Sequence, residues 1–131
     1  MKYSGAFMNN TKWIKLFKVL SEHSHDIRKC MVVDIYDDIK RELIVPTIVE
    51  FDTTFIANGI KDIPFAGPIL FKEIRWIEFP SVWSIARTMR EQELEAQRYN
   101  QDLDMIGELL SGIGGLVMER DEEGLKIIGY R

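Results

Sequence analysis

Leu116-Val117-Met118-Glu119-Arg120, then Asp121-Glu122-Glu123-Gly124, then Leu125-Lys126-Ile127-Ile128-Gly129-Tyr130-Arg131: two short apolar-rich runs flank a polar stretch that closes on glycine. This is the pattern of a β-hairpin, with Gly124 free to take the left-handed conformation that such loops often require. A hairpin alone is marginal in water, so it must pair with further strands. A chain whose last residues include Ile127, Ile128 and Tyr130 is expected to be ordered to its end.

The partners of that hairpin lie upstream. Cys30 to Tyr36 is rich in strand formers. Leu43-Ile44-Val45 is a short strand stopped by Pro46, and Ile48 to Phe51 is read as more strand. Asn58-Gly59 marks a tight turn. Residues 63–68 carry two prolines in an apolar run and read as a packed loop; Ile69 to Phe79 is the longest strand, closed by Pro80.

Helices bracket these strands. Asn9, Asn10 and Thr11 supply capping oxygens. Trp13, Leu16, Phe17 and Leu20 then fall at i, i+3, i+4, i+7, with Lys12, Lys15 and Lys18 off the stripe. From Ser81 onward, Val82, Ile85, Met89, Gln92, Ala96, Tyr99, Leu103, Ile106, Leu110 and Ile113 keep a 3-4 spacing. That spacing predicts a helical segment over 81–111, read as two helices at roughly 82–98 and 101–111 with a bend near Asn100, the alternative being one long helix. Gly112, Gly114 and Gly115 end it. The expected fold class is α+β: an N-terminal helix, an antiparallel or mixed sheet of about five or six strands, the helical segment 81–111 and a C-terminal hairpin.

The 131 residues are read as one domain, 1–131, with 1–8 a loose extension. An apolar fraction of 46% argues against disorder of the whole chain. Cys30 is the single cysteine, so no disulfide can close within the chain. No secretory leader and no apolar run of about 20 residues is visible. The expected location is the cytoplasm, with no membrane partner. Charge is uneven: residues 91–131 hold ten acidic and four basic side chains, whereas 1–90 hold eleven acidic and thirteen basic. The acidic last third disfavours nucleic acid and suits basic protein partners.

No residue set declares a chemistry. His23, His25, Asp26 and Cys30 lack a second ligand pair to close a metal site. Asp34, Asp37, Asp38, Glu50 and Asp52 lie in or near expected strands, where two or three could converge for acid–base work or a divalent ion. Gly112-Ile113-Gly114-Gly115 follows a helix and precedes a strand, the wrong order for a phosphate loop. Trp13, Trp76 and Trp83 read mostly as core; for Trp83, just past Pro80, an interface anchor at an exposed rim is the alternative to core.

Asn10-Thr11-Lys12-Trp13, Trp76-Ile77-Glu78-Phe79-Pro80, Glu123-Gly124-Leu125 and Gly129-Tyr130 resemble a group of small uncharacterised bacterial proteins, from about Met8 onward. Those motifs mark packing and turns, so the resemblance implies no site residues. By type alone, in size and acidity, the chain is also similar to bacterial toxin-immunity proteins. The reading is therefore a non-enzymatic cytosolic binding protein, with toxin inhibition as its specific form. It needs no catalytic residue, metal or cofactor. Its partner-binding residues are Glu91, Glu93, Glu95, Asp102, Asp104, Glu108 and Trp83. The rivals are a small enzyme using the strand carboxylates with a divalent metal, and a homodimer or larger oligomer joined through the heptad seam.

Overall fold

The computed structural model describes residues 6–36, 40–63, 67–85 and 97–130. Helix α1 spans Asn10–Glu22 and α3 Leu103–Ser111; a short α2, Phe51–Thr54, continues a 3-10 turn at Ile48–Glu50. The strands are β1 Lys29–Asp34, β2 Lys40–Ile44, β3 Phe55–Ile56, β4 Gly59–Ile63, β5 Gly67–Leu70, β6 Ile74–Pro80, β7 Val82–Ile85, β8 Gln97–Asn100, β9 Met118–Arg120 and β10 Gly124–Ile128. The architecture is α+β, as the sequence predicts.

Five strands form one antiparallel sheet in the order β2-β1-β6-β10-β9. The C-terminal hairpin joins it through β10, with Ile127 opposite Ile77 and Leu125 opposite Phe79. Strands β3, β4 and β5 form a small second sheet, and β7 and β8 a separate ribbon. The chain does turn here, but one residue earlier than expected: Ala57 and Asn58 form the turn, and Gly59 already pairs with Ile56 as the first residue of β4.

Alternation decides which face is covered. Cys30, Val32, Ile77, Phe79, Leu125 and Ile127 share one core with the α1 stripe and with Leu103, Ile106 and Leu110 of α3. Trp13, Leu16, Phe17 and Leu20 are all buried, as their spacing requires. Phe17 stacks on Phe55 at 4.7 Å and on Phe71 at 5.7 Å, joining α1 to the second sheet. Asn9 caps α1, its Oδ1 accepting from the Lys12 N–H at 2.8 Å.

Four expectations are corrected. The segment 82–98 is not one helix: β7 pairs with β8, Val82 opposite Asn100 and Ile85 opposite Gln97. Val82, Trp83 and Ile85 favour strand, and Ser81 breaks from β6 just before them. The second expected helix forms as α3, residues 86–96 lie outside the described residues, and the heptad seam behind the oligomer reading is interrupted at 82, 85 and 99. Ile48 to Phe51 is helical turn rather than strand. Glu50 reaches back to accept from the Thr47 hydroxyl at 3.0 Å, and Thr53 donates to the Glu50 carbonyl at 2.8 Å. The stretch 69–79 is split by a 3-10 turn at Phe71–Glu73, where the Leu70 N–H donates to Glu73 at 2.9 Å. Gly124 has no positive φ; among the described residues Gly114 and Gly115 do. Gly124 is needed for closeness, because a Cβ there would meet the Phe79 carbonyl oxygen at 2.8 Å. The hairpin loop is shaped by Asp121, whose Oδ1 accepts from the N–H groups of Glu123 at 2.8 Å and Gly124 at 2.9 Å.

The expected loose extension is tied down where it is described. Ala6 bridges to Tyr130, and the Phe7 N–H donates to the Gly129 carbonyl at 2.9 Å. Among the described residues no helix is long and apolar enough to cross a membrane.

Candidate functional site

Helix α3 and the C-terminal hairpin enclose a groove of about 440 Å³ lined by Leu103, Asp104, Gly107, Glu108, Ser111, Met118, Arg120 and Leu125. Its shape follows from small residues. Gly107 and Ser111 stand one turn apart on α3, and the Ser111 hydroxyl folds back onto the Gly107 carbonyl at 2.7 Å. A Cβ at Gly107 would meet nothing within 4 Å, so the groove is open there. Leu103 and Leu125 are buried beneath, and Met118 is half-buried.

Two carboxylates and one guanidinium line this groove: Asp104 and Glu108 from α3 and Arg120 from the hairpin. Asp102, Asp104 and Glu108 on the helix side and Glu119, Asp121, Glu122 and Glu123 on the hairpin side are exposed. Asp102, Asp104 and Asp121 each have local work. Asp102 is the N-cap of α3, accepting from the N–H groups of Asp104 and Met105, both at 3.1 Å. Asp104 forms an ion pair with Arg120 across the groove. Asp121 is held below its ordinary carboxylate value, first by the Gly124 N–H and then by that of Glu123. It therefore stays ionised in acid that protonates ordinary exposed carboxylates.

Three of the expected binding residues, Glu91, Glu93 and Glu95, lie outside the described residues. Asp102, Asp104 and Glu108 are brought together on α3. Trp83 stands in β7, in register with Tyr99 and apart from α3 in the chain. Gly107, Ser111 and Arg120 went unnoticed in the sequence. The signal was a glycine inside an amphipathic helix, where it costs about 1 kcal/mol relative to alanine and so points to a reason beyond stability.

The strand carboxylates are dispersed. Asp34, in β1, accepts from Arg41 Nη1 at 2.8 Å and from the Tyr36 N–H at 2.9 Å. Glu50 caps the turn before α2, and Asp52 lies within α2 rather than on a strand. No described concavity contains two of the three. Asp37 and Asp38 lie outside the described residues. Among the described residues no three His, Cys, Asp or Glu side chains gather to hold a metal ion. His23 caps the end of α1, and Cys30 is wholly buried in β1, where burial pushes its thiol up to about 12.

A second concavity, about 550 Å³, lies between α1 and the α2–β3 segment. On the outer face of the main sheet, Trp76 is half-buried rather than core. Arg75 and Lys126 stand 4.9 and 4.7 Å from its ring centre. Its indole N–H is buried without a hydrogen-bond partner among the described residues.

No family model matches the chain, and no curated protein or solved structure matches it.

Proposed function

We propose that this chain is a non-enzymatic binding protein that takes a basic partner protein against α3 and the C-terminal hairpin, with toxin immunity as the specific form. The observation that carries the reading is the groove at Gly107 and Ser111, walled by the exposed carboxylates Asp104 and Glu108 of α3, with further exposed carboxylates on the hairpin loop. An inhibitor needs only a complementary surface. Exposed rim charges accelerate and orient encounter, while a cleft with an apolar floor accepts an anchoring side chain. A guanidinium entering beside Glu108 would meet Asp104 as well, and would take over the Arg120 pairing. Glu91, Glu93 and Glu95 add to the same charge on the reading made from sequence.

The test is co-expression with the protein encoded beside this one, followed by association kinetics. Wild type should associate fast at low salt and slow markedly as ionic strength rises, because exposed charges are screened beyond about 8 Å at physiological salt. Replacing Glu91, Glu95 and Asp102 by Gln, Gln and Asn should lower the on-rate and leave the fold intact, since Asn also caps a helix. Gly107→Leu should fill the groove and raise the off-rate. An unchanged, salt-independent rate in these variants would leave the acidic face with solubility as its only role.

A further inference from the structure

The groove between α1 and α2–β3 carries the opposite sign. Its floor is apolar: Ile14 from α1, Phe51 from α2, and Phe55 and Ile56 from β3. Phe55 is buried against Phe17, while Ile14 and Phe51 are half-buried and Ile56 is 40% exposed. The apolar surface extends along the chain into the turn before Phe51, where Ile48 is 46% and Val49 87% exposed. Large apolar side chains left open side by side in this way mark an interaction surface. The α1 wall of the groove bears Lys15 and Lys18, both exposed, and neither forms an ion pair with a described residue. The opposite wall bears Asp52.

We infer that this groove is a second docking site, for an amphipathic segment of a partner protein whose apolar anchors are flanked on one side by carboxylates. The charges argue for that occupant. Two lysines line one wall and a single carboxylate the other, so an apolar segment with acidic residues along the α1 side is attracted, and a lysine-rich one is repelled there. An amphipathic helix laid in the groove would present its anchors at i, i+3, i+4 and i+7. The site shares no lining residue with the acidic α3 groove, and it would give the molecule two surfaces of opposite preference.

The probe is a fluorescein-labelled 16-residue peptide with leucines at that helical spacing and glutamates between them. A matched peptide carries lysines instead of glutamates. Fluorescence anisotropy should show the acidic peptide binding more than roughly tenfold tighter than the basic one. Charge reversal by Lys15→Glu with Lys18→Glu should abolish that preference, with circular dichroism unchanged because both positions are exposed on α1. Ile56→Asp should weaken both peptides by removing an anchor. NMR shift changes should centre on Ile14, Phe51 and Ile56. Equal binding of the two peptides, an unaltered preference after charge reversal, or shift changes centred on α3 would each overturn the inference.

Discussion

Gly107 is where helix stability and groove shape pull in opposite directions. It sits inside the nine-residue helix α3, and an added methyl group would contact nothing within 4 Å. Alanine there avoids the backbone entropy that glycine loses, a gain of about 0.8–1.0 kcal/mol. No packing cost offsets it, so Gly107→Ala should stabilise the fold by nearly that amount. For a chain of this size the melting temperature should rise by roughly 3–5 °C. Urea denaturation and thermal melts followed by circular dichroism give both numbers, with the denaturant slope unchanged. A loss of stability would mean that the methyl group is crowded, and the open groove at this position would be refuted. A gain in stability together with weaker partner binding would show why glycine belongs there.

Other consequences follow from particular side chains. Gln101 is buried; its Oε1 accepts from the N–H groups of Arg28 at 3.1 Å and Lys29 at 3.2 Å, and its Nε2 donates to the Pro80 carbonyl at 2.9 Å. Gln101→Ala should therefore cost about 2–4 kcal/mol in urea unfolding, since it strands buried backbone groups; a loss below about 1 kcal/mol would show that water replaces the clip. The Cys30 thiol, pushed up to about 12 by burial, should not react with a thiol reagent at pH 8 until the chain is unfolded. Native reactivity on mixing would contradict its place in the core. The Asp121 carboxyl is depressed in the folded state, so its contribution is complete above its unfolded value and fades as pH falls through the lower folded one. NMR titration should find it protonating after other exposed carboxylates, and Asp121→Ala should speed amide exchange at Glu123 and Gly124.

The legible parts of the fold are those where local pattern and tertiary demand agree. The Trp13-Leu16-Phe17-Leu20 stripe declares α1 because all four side chains are buried. Asn58-Gly59 locates its hairpin to within one residue, the closing pair being Ala57-Asn58. Val82 to Asn100 misleads for a physical reason. Its apolar residues recur at helical spacing, yet Val82, Trp83, Ile85 and Tyr99 also favour strands, and the pairing of β7 with β8 is a contact distant in sequence. Glu50 misleads in the other direction. Ile48-Val49-Glu50-Phe51 has strand composition, but a carboxylate three residues beyond Thr47 closes a helical turn. The acidic half of the candidate site is visible in composition, through Asp102, Asp104 and Glu108. Its shape is not, because the groove arises where α3 meets β9 and β10 in space. The α1 lysines read as a solvated face, since nothing in their spacing announces that Phe51 and Ile56 lie opposite.

The most direct test is NMR shift mapping of the isotope-labelled chain on titration with a basic toxin domain of the kind the proposal names as partner. The account predicts shift changes concentrated on Leu103–Ser111 and on Met118–Leu125, reduced by Glu108→Lys and by added salt. Shift changes confined to other surfaces, or no complex at any ionic strength, would contradict it.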